Sequence, residues 1–478
     1  MVNYGVEGQI AYLAHLANED SEAAAWVRTL REYFGGEHPT YLTDRQEEFL
    51  GLRSKSADHL FSHNLCGLVV AAVVERLMVT GFGPAAGEDM AGDALAEAAW
   101  GWWESNRMDA GQDDLYEAAC RDGAGYVIVD WDAEQARPRW TLNWAFDGTQ
   151  GIKVHRDPDT DMIRFASKRW QTADPLKPGE SGKTRLTLYF PDRVEKWVSS
   201  TEEGNQAGWV AITDDDNEPW PIPWVDGQGR PLGMAVVPFE NPGGSELDDV
   251  IPLQDMLNKA DLDLVAATDM GGFRILWASG VTPQIDSSTG EEREITVAPG
   301  RLLRMSDASA RLGAIEPVPL AQMLLASRYW IESIAGTSRT PQYLFQAQGA
   351  EQPSGESLKM QEVGLIAKSQ RKQKVFGNAW EDVAYLSARL WNRYRPGEAL
   401  DTEARLATLW DDLASRDELQ DAQIAKVKLE SGLPAEQVWR EWGYDEALIQ
   451  DWLERESEPN LGEQLLRAYE SGVDPVEV

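Results

Sequence analysis

The chain has 478 residues, 44 Lys and Arg against 80 Asp and Glu, a formal net charge of −36, and 42% hydrophobic residues including twenty Trp. That length calls for two or more structural units, and that apolar content excludes an intrinsically disordered chain. The charge argues against a protein that grips nucleic acid through broad basic patches. Two cysteines, Cys66 and Cys120, cannot make a disulfide framework. Met1–Gln9 lacks the basic region and apolar run of a secretory signal, and the longest apolar stretch, Leu65–Val74, is too short to cross a bilayer. A soluble intracellular protein with no membrane contact is expected.

Helical patterning dominates the first part of the chain, in Glu22–Phe34, Leu65–Leu77 (ended by Gly81, Gly83 and Pro84), Leu95–Glu104 and Asp113–Arg121. The period then changes. Tyr126–Asp130, Arg139–Trp144, Met162–Trp170, Leu186–Phe190 and Val194–Val198 read as short antiparallel strands between Asp, Pro and Gly clusters, followed by a turn-rich stretch, Thr201–Gly233. Pro238–Gly244 is a breaker cluster. Ser245 then stands as an N-cap before acidic residues, opening a helix to about Met270 that carries Asp255, Asp261, Asp263 and Asp269 against Lys259 alone.

Phe273–Val318 returns to strand and turn character, and Leu320–Ala335 reads as a second helix. A polar, glycine-bearing loop, Gly336–Gly355, precedes about forty residues of helical pattern with one break signal, Gly364. Within that pattern Phe376, Trp380, Val383, Leu386 and Leu390 recur at the 3.6-residue period of a single buried face. Such a helix is roughly 60 Å long, more than a small compact domain needs. After Pro396 and Gly397 the chain reads as an all-helical tail: Asp401–Leu413, Arg416–Glu430, Ala435–Trp442, Glu446–Arg455 and Leu461–Tyr469.

Catalytic motifs are suggested but not completed. Gly182-Lys183-Thr184 lacks the upstream glycine of a phosphate loop and runs into a strand pattern, so a hairpin turn is expected. Asp157-Pro158-Asp159-Thr160-Asp161 has the alternating carboxylates of a calcium loop, but Met162 stands where glycine is required and Lys168 where glutamate is. His59 and His63 lie one helical turn apart without a third ligand nearby. No catalytic residue, metal ligand or cofactor site is nominated, and a non-enzymatic protein is expected.

Two helices bracketing a β-rich insert, then a loop, a very long helix and a helical tail resemble the portal proteins of tailed bacteriophages, in the branch of long-tailed phages of Gram-positive hosts. The residues that carry the resemblance begin with Asn64-Leu65-Cys66, Val73, Val74, Arg76, Leu77, Gly81-Phe82, Trp103 and Asn106. They continue in Pro238-Phe239-Glu240-Asn241, Gly244-Ser245-Glu246-Leu247 and Ile251–Lys259. Further on they are Ile334-Ala335-Gly336-Thr337, Pro341, Ser354–Leu358, Lys368, Gln373, Phe376-Gly377 and Trp380.

The resemblance implies an α+β portal fold that forms a ring, normally of twelve subunits. Its parts would be an α/β wing (1–244), stem helices (245–272 and 317–335), a β-rich clip (273–316), a tunnel loop (336–355), a long helix (356–395) and a helical crown (396–478). It further implies double-stranded DNA passing through the ring, with the terminase large subunit, a head–tail adaptor, and major capsid and scaffolding proteins as partners. The location would be the capsid vertex of the virion, reached from the host cytoplasm.

On that reading Gln342, Gln346, Gln348 and Gln352 offer neutral hydrogen-bonding groups to DNA in the tunnel loop, and the four aspartates named above line an acidic stem. Arg274, Trp277, Glu291, Glu292 and Arg293 meet partners at the clip. Lys359, Lys368, Arg371, Lys372 and Lys374 form a basic cluster that touches passing phosphates or pairs with acidic neighbours in the next subunit. The competing expectation is an acidic cytosolic carbohydrate-active hydrolase using the Trp-rich strands and clustered carboxylates.

Overall fold

A computed structural model describes residues 21–39, 63–85, 90–172, 182–199, 208–213, 219–272, 276–279, 311–314, 320–345, 355–413, 426–429, 431, 433–435 and 438. Backbone contacts divide the chain into a unit of residues 1–413 and a second of 414–478. In the second, the described residues include a helical turn at 426–429 and the buried Val438.

The first unit opens with helices α1 (Ser21–Phe34) and α2 (Cys66–Val74), strand β1 (Val79–Pro84), and helices α3 (Met90–Ser105) and α4 (Met108–Asp122). A three-stranded antiparallel sheet follows, in the order β10 (Val236–Glu240), β2 (Ala124–Asp132), β3 (Arg137–Trp144). The central strand is buried without interruption from Gly125 to Val129, because neighbours cover both of its faces. Helix α4 crosses β2 so closely that a Cβ on Gly125 would lie 2.8 Å from Leu115 Cδ1 and 2.9 Å from the Leu115 carbonyl oxygen. Pro238, expected as a helix and strand breaker, sits inside β10. That strand is at the edge of its sheet, where proline's missing N–H is tolerated.

The second sheet is a meander of β4 (Gly151–Arg156), β5 (Ile163–Gln171), β6 (Thr184–Tyr189), β7 (Arg193–Ser199) and β8 (Trp209–Ala211), with β9 (Ile222–Pro223) also paired to β7. Its own small core is Phe165, Leu186, Leu188, Trp197 and Trp209. The Asp157–Asp161 segment is the β4–β5 turn: the Asp157 carboxylate accepts the Asp159 N–H at 2.9 Å and pairs with Arg164.

Helix α5 (Ile251–Gly272) packs against α6 (Leu320–Ser338), and the chain between them contains an antiparallel pair, β11 (Leu276–Ser279) with β12 (Arg311–Ala314). A 3-10 turn, Gln342–Phe345, leads away from α6. Helix α7 (Gly355–Tyr394) is an unbroken 40-residue element. Gly364, read as a break signal, stands inside it, and a Cβ there would meet Arg339 at an ordinary 3.6 Å.

The periodic face of α7 is the spine of the main core: Phe376, Trp380, Val383 and Leu390 are fully buried and Leu386 nearly so. The Trp380 indole N–H donates to the buried Tyr116 hydroxyl at 2.7 Å, and Trp140 donates to Ser387 at 2.8 Å. Tyr116 stacks on Phe376 at 5.3 Å, and Trp103 meets Trp380 edge-on at 4.8 Å. Much of the tryptophan content in this part of the chain is therefore structural, and the Trp140 and Trp380 indoles have hydrogen-bond partners in the core.

The segment 401–413, expected to be helical, is extended instead. Residues Leu406–Trp410 form β13, antiparallel to β1. Thr408 explains the difference. Its hydroxyl donates to the Gly377 carbonyl at 3.0 Å and its N–H to Glu381 at 3.1 Å, fixing an extended backbone against α7. Gly377 permits this approach, since a Cβ would lie 3.3 Å from the Trp410 indole nitrogen. The glycines that end α2's apolar run thus belong to a strand whose partner lies more than three hundred residues later.

Replacing Trp380 by Phe retains most of the ring but leaves the Tyr116 hydroxyl, fully buried, without its donor. The expected loss is about 1–3 kcal/mol, read as a lower thermal midpoint in calorimetry. An unchanged midpoint contradicts the role given to this hydrogen bond.

Candidate functional site

Three segments far apart in sequence meet at one buried charged junction: the turn after β10, the last residues of α6, and the middle of α7. Lys368 and Lys372 are four residues apart on α7 and so share a face. The Lys368 ammonium donates to Glu246 Oε2 at 2.7 Å and to the Ser338 carbonyl at 2.7 Å, closing the C-terminus of α6. Lys372, whose side chain is 2% exposed, donates to Glu246 Oε1 at 2.5 Å and also reaches Asn241 Oδ1. Burial pushes the Glu246 carboxyl upward, but the Lys372 and Lys368 charges outweigh it and hold it at about 2. Burial lowers the Lys368 ammonium from its ordinary value, with Glu246 opposing.

Glu246 is positioned by a turn rather than by the helix expected from Ser245 onward. The Ser245 hydroxyl donates to the Arg121 carbonyl at 2.5 Å and accepts the Leu247 N–H at 3.0 Å, while Asp248 accepts the Ser245 N–H at 2.9 Å. This cap-like arrangement delays the regular helix to Ile251. Gly243 and Gly244 precede it with φ of +104° and +91°, conformations that suit glycine.

A second polar network ties α5 to the N-terminal segments. The Gln254 amide donates to the His63 carbonyl at 2.7 Å and its oxygen accepts the Leu65 N–H at 3.0 Å. Asn258 lies 2.8 Å from His38 Nδ1. Burial lowers the pKa of His38, whereas its hydrogen bond to Asp261 raises that of His63.

Of the aspartates expected to line a stem, Asp255 accepts the Tyr33 hydroxyl at 2.6 Å and Asp261 pairs with His63 at 3.1 Å. Both are held within this chain. Asp263 is half-buried on α5, and Asp269 lies on α5 with its side chain outside the described residues. The basic cluster splits in two. Lys368 and Lys372, expected to serve phosphates or the next subunit, pair with Glu246 of their own chain. Lys359, Arg371 and Lys374 are exposed. Helical geometry sorts them: Lys368, Arg371 and Lys372, at offsets of three and four, share the side of α7 that lines the cleft beside Glu246, and Lys359 and Lys374 fall on other faces.

Gln342 is half-exposed in the 3-10 turn, where neighbouring Tyr343 donates to Glu362 at 2.5 Å, and Glu362 also receives Arg76 at 3.4 Å. Gln346, Gln348 and Gln352 lie outside the described residues, as do Arg274, Glu291, Glu292 and Arg293. Trp277 is on β11 and 45% exposed. Its indole lies across Gly313 of β12, where a Cβ would come within 2.5 Å of the ring. Glu246 and Asn241 were not singled out as functional by spacing or charge. Both stand in the strings that carry the family resemblance, and Glu246 also belongs to the acidic run that opens at Ser245.

Glu246→Gln leaves two buried ammonium groups facing each other without a counter-charge. Because the folded carboxyl is held at about 2, below its unfolded value, its contribution is complete above the unfolded pKa and fades as pH falls through the folded one. The variant is expected to be less stable by on the order of 3 kcal/mol at neutral pH. The difference should shrink between about pH 5 and pH 2. Denaturation midpoints across that range test this, and a gap independent of pH contradicts it.

The chain matches the model of the family described as phage portal protein, SPP1 Gp6-like, over residues 14–460. It is 25% identical over 422 residues to the portal protein of Mycobacterium phage D29, covering 83% of this chain and 79% of that protein. It is likewise 25% identical over 456 residues to the portal protein of Mycobacterium phage L5, covering 88% and 85%. The rival expectation of a carbohydrate-active hydrolase finds no support in these matches. With a helix pair bracketing a strand pair and a 40-residue helix beyond it, and a family match across most of its length, the chain belongs to the phage portal protein family.

Proposed function

We propose that copies of this chain close into a ring, about twelve in number, at one vertex of a phage capsid. The ring is a non-enzymatic conduit for double-stranded DNA during packaging and ejection, with ATP hydrolysis left to the terminase. The observation that carries the reading is the order of parts in a chain matched to the portal family from 14 to 460. A mixed α/β body leads into an antiparallel helix pair with strands between its members, and from there into a 40-residue helix. In this arrangement α5 and α6 are the stem and β11–β12 belong to the clip, the surface for terminase and later for the head–tail adaptor. The tunnel loop falls to the chain between α6 and α7, and scaffolding and major capsid proteins meet the outer body.

The charge supports the same reading. A net charge of −36 per chain, repeated around a ring, keeps a bore from holding phosphates long enough to stop a moving duplex. Helix α6 also exposes Leu324 (57%), Leu325 (64%) and Tyr329 (60%), an apolar stripe that a neighbouring subunit would cover.

Electron microscopy of the purified chain and of phage heads tests the proposal. Rings of about twelve subunits are expected, with the chain present at one vertex. A chain that stays monomeric and is missing from heads overturns the reading. Lys374, exposed on α7, is the cleanest remaining candidate for transient phosphate contact. Lys374→Glu heads should package DNA more slowly at low salt, the defect shrinking as salt rises; identical packaging rates discard that contact.

A further inference from the structure

We infer that the cleft beside the Glu246 junction is a binding site for a phosphate-type oxyanion, held chiefly by Arg339 and Arg371. The cleft has a volume of about 280 Å³ and is walled by the 242–250 turn, the end of α6 and the middle of α7. Four cations line it, Arg339, Lys368, Arg371 and Lys372, against two carboxylates, Glu246 and Asp249. A positive surplus inside a chain of net charge −36 is a local reversal that attracts an anion.

The two lysines are already engaged by Glu246. The two arginines make no ion pair among the described residues, and both are exposed at the cleft. Guanidinium groups present planar pairs of donors that match tetrahedral oxyanions better than an ammonium does.

Backbone geometry supports the assignment independently. Arg339 has φ of +53°, a left-handed conformation that costs a non-glycine residue about 1 kcal/mol or more. It sits where α6 terminates, with Thr340 N–H donating to the Ala335 carbonyl at 3.0 Å, the position at which glycine is the usual occupant. An arginine here is unfavourable for the helix end, yet the residue lines the cleft. A structural role alone would be better served by glycine.

The site is independent of the ring proposal and can be measured on the purified full chain. Titration calorimetry with inorganic phosphate at constant ionic strength should show one site per chain. Arg371→Ala and Arg339→Gly should each weaken binding by about tenfold or more, while Arg328→Ala, on α6 but away from the cleft, should not. Arg339→Gly removes the backbone strain along with the side chain, so it should be at least as stable as the parent while losing phosphate. That separates binding from folding. If phosphate produces no more heat than chloride, or if all three variants bind as the parent does, the site is refuted. A second arm identifies the source of the anion: a short DNA duplex that displaces phosphate assigns the site to backbone phosphates, and a duplex that leaves it bound assigns it to free phosphate.

Discussion

One carboxylate, that of Glu246, is the shared counter-charge of two largely buried ammonium groups, and the arrangement of the body around α7 depends on it. An unpaired charge in such a place costs several kcal/mol, whereas a pair with its hydrogen bonds complete roughly breaks even. The value of the junction is therefore in register more than in net stability. Lys368 and Lys372 must reach the two oxygens of one carboxylate, and Lys368 must also reach the last carbonyls of α6. Rotating α7 by one residue, about 100°, would carry both lysines away from Glu246. The contact consequently fixes the rotation of α7 and its axial position against the end of α6.

That constraint and the aromatic core act at different heights of the same helix. From Phe376 to Leu390 the helix is held by burial, with Trp380 and Tyr116 satisfying each other's polar atoms. One to two turns earlier it is held by charge. Burial is tolerant of small slides, because one apolar ring can replace another; a two-lysine, one-glutamate contact is not. Together they hold the middle and the later turns of one long helix.

Helix α7 was legible in the sequence because its buried face repeats over several turns, a signal that accumulates with length. Strand β13 was not, and the reason is physical. Five residues, Leu406–Trp410, carry too little periodicity to outweigh flanking Asp, Glu and Arg that favour a helix, and the partner that makes them a strand, β1, is remote in sequence. The glycines of β1 read as terminators for the same reason: a strand whose pairing is distant looks like a break from within its own neighbourhood. Pro238 misled in the opposite direction, since a breaker in isolation is harmless at a sheet edge.

The basic cluster shows where charge reading along a chain fails. Five cations between 359 and 374 look like one feature, and on a helix they are at least two. Spacing alone separates them: Lys368, Arg371 and Lys372 share a face at offsets of three and four, while Lys359 and Lys374 fall on others. What spacing could not supply was the counter-charge, because Glu246 lies more than a hundred residues earlier, in a turn that looked like the first turn of a helix. An acidic chain makes this harder, since with 80 carboxylates available no single one stands out as a partner. Asn241, Ser245 and Glu246 are nevertheless the residues through which the resemblance to portal proteins runs. In the structure they are also the residues that hold α7 in place, so the strings that identified the family are those in which a substitution would cost the junction its geometry.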